Sequence, residues 1–128
     1  MTTLLAIGMI VMGVAIAGIW SRDIIAGEAV DLSAGFFRAR DEDSGGLFWP
    51  HWLAEFTTAG FLIVGGAGLL GDASWAATTA AIALGALLYT STNALGWALA
   101  QRDRYPYAIP MILGDVVAIG GVIVLLTR

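Results

Sequence analysis

Cysteine and lysine are absent from the 128 residues, and histidine occurs once, as His51. Without cysteine the chain forms no disulfide bond or thiolate metal site, and it has no cysteine nucleophile. The six basic residues are all arginine and stand against ten acids, so the net charge is −4. A basic footprint for nucleic acid is therefore not expected. These absences exclude thiol chemistry and nucleic-acid binding from the functions considered.

Charge of either sign is also scarce. Only 12% of the residues are charged, whereas 59% are hydrophobic and the mean hydropathy is +0.84. Soluble domains carry roughly a quarter of charged residues, so this composition predicts an integral membrane protein whose first partner is the lipid bilayer. The length allows a single domain of a few membrane spans, since each span needs about 20 residues.

Four apolar stretches divide the chain, and each is long enough to cross the hydrocarbon core. Gly71 is a helix-ending residue between the second and third stretches, so a very short connector is expected to join them as an antiparallel hairpin. The predicted fold class is all-α, an integral membrane antiparallel four-helix bundle. The predicted spans cover about residues 3–20, 51–70, 75–100 and 107–127.

Two features of the first part of the chain leave alternatives open. Ala15 and Ala17 imitate the cleavage site of a signal peptide, but no Lys or Arg precedes the apolar core, so we expect residues 1–17 to be retained. In the first connector, apolar residues recur at near-helical spacing from Ile25 to Phe36. This spacing predicts a short amphipathic helix on the membrane surface, although two glycines weaken it.

The arginines predict the orientation of the bundle. Five of the six lie in the connectors at 21–50 and 101–106, and the sixth is Arg128. Because positive residues favour the cytoplasmic side, these two connectors are predicted to be cytoplasmic and both termini to lie outside. The location predicted is the cell inner membrane.

A run of polar side chains interrupts the third apolar stretch from Tyr89 to Asn93. Acids interrupt the second and fourth stretches at Glu55 and Asp115. At about 1.5 Å of helix rise per residue, these groups lie at similar depth from the arginine-rich side. The sequence therefore predicts that they converge in a substrate- or ion-binding site. Its predicted members are Glu55, Asp115, Asn93, Tyr89, Thr92 and His51.

Acids within a membrane are costly, at about 2.5–3.5 kcal/mol for Asp at a helix centre. Since no basic residue lies within the spans, Glu55 and Asp115 are expected to hold protons, bind a cation or accept hydrogen bonds. His51, Glu55 and Asp115 also form a weak candidate set of metal ligands, because a lone histidine makes a thin zinc or manganese site. No cofactor is indicated. The other hydroxyls, such as Thr79, Thr90 and Ser91, are expected to join helices or bond to the backbone.

Three functions remain compatible with these patterns. The first is transport of an ion, proton or small solute, in a homo-oligomer because one four-helix unit has little room for a pathway. The second is a non-enzymatic accessory or scaffold subunit that docks a larger membrane complex through faces of small residues at Gly65, Gly66, Gly68, Gly120 and Gly121. A membrane-embedded enzyme dependent on metal or lipid is the third, and it is the least favoured.

Overall fold

The computed structural model describes residues 1–26, 49–100 and 108–127. Secondary structure in these ranges consists of four α-helices and contains no strand. The predicted interfacial helix falls mainly within residues 27–48, outside the described part of the chain. The helices are α1 (Thr2–Ala26), α2 (Trp49–Leu70), α3 (Ala76–Ala100) and α4 (Ala108–Leu126).

Helices α1 and α2 share the most extensive helix–helix contact. Glycines allow their backbones to approach closely, as small residues do wherever helices cross without large side chains between them. A Cβ at Gly13 of α1 would lie 2.7 Å from the Ala59 carbonyl oxygen, and one at Gly66 of α2 would lie 2.7 Å from the Ala6 carbonyl oxygen. The early part of α1 therefore faces the late part of α2, so the two helices are antiparallel.

The turn between α2 and α3 is short, as the sequence predicts, but its left-handed residue is not the glycine. Asp72 has a φ of 49°, and the Ala73 N–H donates to the Gly68 carbonyl oxygen at 3.0 Å. This six-residue closure ends a helix with a residue in the left-handed region, which Asp tolerates better than most residues. The turn reverses the chain, so α3 runs back along α2.

Helix α4 packs on α3, again in antiparallel order. Ser91 and Leu87 of α3 lie against Gly114, and Leu84 lies against Gly121. Helix α4 also touches α1, but this contact is the smallest of the four. An apolar groove of about 300 Å³ opens there, between the start of α1 and residues 116–124 of α4. The four helices thus form a ring in chain order, α1–α2–α3–α4.

The glycines predicted to dock a larger complex are largely used inside the chain. A Cβ at Gly65 would lie 3.2 Å from the Ala80 backbone, one at Gly66 would meet α1, and one at Gly68 would meet the Trp75 ring. Gly121 lies beneath Leu5 and Leu84, whereas Gly120 has open space beside it. The prediction of an outward glycine face was therefore wrong for all but Gly120, because these glycines allow neighbouring helices of the same chain to approach.

Three of the four helices are long and apolar enough to cross a membrane. Their apolar segments are Thr2–Arg22, Trp52–Leu70 and Ala108–Leu126, with mean hydropathies of 2.3, 1.6 and 2.4. These properties support a membrane location. Within the described residues α3 does not reach the same apolarity, because hydroxyl and amide side chains occupy much of its length. The sequence had predicted a span here as well.

Candidate functional site

The polar run of α3 divides between the outside of the ring and its interior. Tyr89 is 71% exposed, and Thr92 and Asn93 are also exposed. Thr90 and Ser91 are buried. This division follows from the 100° step between successive helical residues, which turns a run of five around the whole helix circumference.

One hydrogen bond joins this outward surface to α4. The Thr92 hydroxyl donates to Asp115 Oδ1 at 3.2 Å. Asp115 is half-buried, between the packed face of α4 and its outer surface. Thr92 and Asp115 therefore extend the polar surface of α3 across the α3–α4 boundary. We call the four side chains Tyr89, Thr92, Asn93 and Asp115 the polar face.

Grooves border Tyr89 on both sides. One has a volume of about 500 Å³ and is formed by α3 alone, with Gly85 and Leu88 beside the polar residues. The other has a volume of about 410 Å³ and lies between α2 and α3, where it includes Thr57 and Thr58. The Tyr89 ring thus stands between two shallow depressions on the outside of the ring. A neighbouring helix or a lipid chain would meet this relief.

Glu55 has entirely different surroundings. It is only 3% exposed, and it lies on α2 at the height where α1 packs against that helix. The side chain of Trp20 on α1, itself buried, donates a hydrogen bond to its carboxylate. Trp52 is also buried, one helical turn before Glu55. This arrangement gives Glu55 a structural task at the α1–α2 interface, since a buried acid needs a donor.

The predicted convergence of both acids on the α3 cluster is therefore corrected. Asp115 meets Thr92, but Glu55 meets Trp20 on the other side of α2. Helices α2 and α4 lie diagonally and make no close backbone approach within the described ranges. Similar height along the helices does hold, because Glu55, Asn93 and Asp115 each lie six or seven residues from the same end of their helix. Height alone does not determine the direction in which each side chain points.

The hydroxyls expected to act within or between helices do so. Thr90 donates to the Leu87 carbonyl oxygen at 3.3 Å, and Thr79 donates to the Trp75 carbonyl oxygen at 3.2 Å. Ser91 packs directly against Gly114, where a Cβ would overlap its hydroxyl. These residues satisfy their hydroxyls locally, as expected for helices in apolar surroundings.

The proposed metal ligands are only partly described. The side chain of His51 lies outside the described part of the structure. Among the described side chains, no three His, Cys, Asp or Glu residues come together as a metal site would require. Glu55 and Asp115 in particular belong to different helix interfaces.

Trp20 is the contact that sequence reasoning missed. The first apolar stretch was interpreted as a packing helix without a buried polar group, and its tryptophan as an interfacial residue. The register between α1 and α2 depends on a crossing at Gly13 and Gly66. Because some 20 residues separate these helices along the chain, no short connector sets that register. The sequence therefore contained no direct signal for the Trp20–Glu55 pair.

Comparison with known proteins identifies a family but no activity. A family model described as a domain of unknown function, DUF8058, matches residues 1–127. No curated protein and no solved structure matches the chain. The geometry of the polar face and of the Glu55 pair therefore carries the functional argument.

Proposed function

We propose that this chain, which belongs to the DUF8058 family, is a four-span integral membrane protein that works by docking laterally with another membrane-embedded helix. In this proposal it is an assembling or accessory subunit, and the polar face is its docking surface. The observation that carries the proposal is the outward position of Tyr89, Thr92 and Asn93 on a helix whose neighbours α2 and α4 are apolar enough to span.

The energetics favour a protein neighbour over lipid at this face. Moving an amide into an apolar medium without a hydrogen bond costs roughly 2–7 kcal/mol, depending on the reference medium. Asn93 lies seven residues before the end of α3 at Ala100, or about 10 Å along the helix. That is too far for its short side chain to reach the membrane surface. A partner helix that supplies donors and acceptors would remove the cost.

Photo-cross-linking in intact native membranes tests this docking. A photoreactive phenylalanine analogue replaces Leu88, which lines the groove beside the polar face. The matched control carries the same analogue at Val64, an apolar residue of α2 that is 51% exposed. We expect a discrete protein adduct from position 88 and only lipid adducts from position 64. The adduct at 88 should weaken when Asn93→Leu is added, and equal lipid labelling at both positions would refute docking.

Transport of an ion, proton or small solute is the second candidate function. What favours it is the oxygen-rich chemistry of the polar face, where the Asp115 carboxylate accepts from Thr92 on a surface shared with Asn93 and Tyr89. Such groups suit a cation or a proton. The pathway would have to lie between copies of the chain, since Glu55 and Asp115 belong to separate interfaces. Flux into liposomes is the measurement that tests it.

The orientation in the membrane is part of the proposal. An even number of antiparallel spans puts both termini on one side, and the arginines of the connectors 21–50 and 101–106 favour the cytoplasm for those connectors. Both termini would then lie outside the cell inner membrane. Labelling of single cysteines from the two sides tests this orientation.

A further inference from the structure

We infer that the helix docking on the polar face is α3 of a second copy of this chain, related by a two-fold axis along the membrane normal. This inference rests on the proposed docking function and names its partner. It is carried by the shape of α3, by its low apolarity and by the hydrogen-bonding chemistry of its outer side chains.

The outer side of α3 has one continuous strip with a four-residue spacing. All five of its members are exposed, and they lie on one side of the helix because four residues make slightly more than one turn. A Cβ at Gly85 would meet no atom within 4 Å, so the backbone at the centre of the strip is open to a neighbour. Small residues of this kind allow two helix backbones to approach closely. The strip consists of Ala77, Ala81, Gly85, Tyr89 and Asn93.

Lipid is a poor neighbour for this strip. Among the described helices, α1, α2 and α4 have segments apolar enough to span, and α3 has less apolar character. Helix α3 is covered on its two flanks by α2 and α4. Only its outer side, which carries Tyr89 and Asn93, is left to face the surroundings. A protein contact at this side would shield the least apolar of the four helices.

The strip is complementary to itself. Copies inserted in the same orientation have equal residues at equal depth, so a two-fold axis along the normal brings Gly85 to Gly85 and Asn93 to Asn93. Two glycines give the closest approach, and two amides exchange hydrogen bonds because each has a donor and an acceptor. None of the five strip residues is charged, so like charges do not meet at the axis. Asp115 lies beside the strip on α4, where it accepts from Thr92.

Disulfide trapping in liposomes tests the two-fold contact with the full chain. Because the chain has no cysteine, each variant carries a single thiol. Ala81→Cys places it on the strip, and Val64→Cys places it on the outer side of α2. Under mild oxidation at low protein-to-lipid ratio, we expect a covalent dimer with Ala81→Cys and monomer with Val64→Cys. Equal dimer yields in both variants would indicate random collision and overturn the inference.

A second measurement does not depend on cysteine. Labelled chains are counted in liposomes by single-molecule photobleaching, which gives the dimer fraction as a function of dilution. Losing one interhelical hydrogen bond weakens association by about threefold, and by up to about 18-fold at the largest measured values. We expect a loss in this range for Asn93→Leu. Asn93→Gln retains the amide and should restore most of the dimer.

The outcomes separate this inference from the docking function. Single bleaching steps at all concentrations, together with a protein adduct at position 88 in native membranes, would mean that a different protein occupies the face. That result overturns the two-fold contact and leaves docking intact. Single bleaching steps together with lipid labelling alone at position 88 would remove both.

Discussion

Glu55 and Asp115 show how differently two acids can be used within one ring of helices. Glu55 is enclosed between α1 and α2 and accepts from Trp20, whereas Asp115 reaches the outer surface and accepts from Thr92. Only Asp115 is placed where a solute or a second chain could meet it. The two acids should therefore respond differently to neutral substitution.

Flux measurements distinguish the two acids if copies of the chain enclose a pathway. We expect Asp115→Asn to reduce proton or cation flux to that of protein-free liposomes, because an amide neither carries a proton nor balances a cation. Asparagine keeps an oxygen acceptor for Thr92, so the α3–α4 contact should survive. Glu55→Gln is the matched control, since it keeps an acceptor for Trp20, and its flux should equal that of the unmodified chain.

Two results would change this assignment. Unchanged flux in both variants would discard the transport function. Loss of flux in Glu55→Gln alone, with the variant still folded by circular dichroism, would move the transport role to the α1–α2 interface.

At the scale of the helices, glycines determine how closely neighbours approach. Gly65 and Gly66 are adjacent in α2 but serve different neighbours, since a Cβ at Gly65 would meet Ala80 of α3 and one at Gly66 would meet Ala6 of α1. Successive residues of a helix differ by about 100° in direction, so an adjacent pair can contact two flanking helices. Helix α2 is thereby held between α1 and α3.

Alanine substitution at two glycines of α2 tests this reading. Gly66→Ala would push a Cβ against the Ala6 carbonyl oxygen and Ile10, so the backbones must separate. We expect a loss of about 1–3 kcal/mol in the free energy of unfolding, as for other overpacked contacts. At Gly60 a Cβ meets nothing within 4 Å, so Gly60→Ala should be neutral or stabilise by up to about 1 kcal/mol.

Reversible unfolding in mixed micelles, followed by circular dichroism, measures both variants. Equal stability of Gly66→Ala and Gly60→Ala would contradict the close crossing of α1 and α2. A loss confined to Gly66→Ala would support it.

At the scale of the whole molecule, the antiparallel order of four helices puts both chain ends on the same side, while the arginines indicate which side that is. We expect Ser74→Cys, in the turn between α2 and α3, to react with an impermeant maleimide on intact cells. Ser44→Cys, in the arginine-bearing first connector, should react only after permeabilisation. The reverse pattern would invert the proposed orientation without altering the packing of the helices.

The sequence alone indicates a helical chain suited to a membrane. It does so because hydropathy, arginine placement and helix-breaking residues act locally: Gly71 and Asp72 lie in the turn that reverses the chain, and α2 and α4 begin within two residues of their predicted starts. The equal heights of Glu55, Asn93 and Asp115 also follow from counting residues along regular helices. The polar residues of the candidate site were thus identifiable from the chain itself.

The direction in which those residues face was decided only by the tertiary structure. Direction depends on how each helix is rotated about its axis, and that rotation is set by contacts between residues distant in sequence, such as Gly13 with Ala59 and Gly114 with Ser91. These contacts turn Glu55 toward Trp20 and leave Tyr89 and Asn93 on the outside. Apolar stretches this uniform have no amphipathic pattern strong enough to determine the rotation, because nearly every side of each helix can face either lipid or another helix.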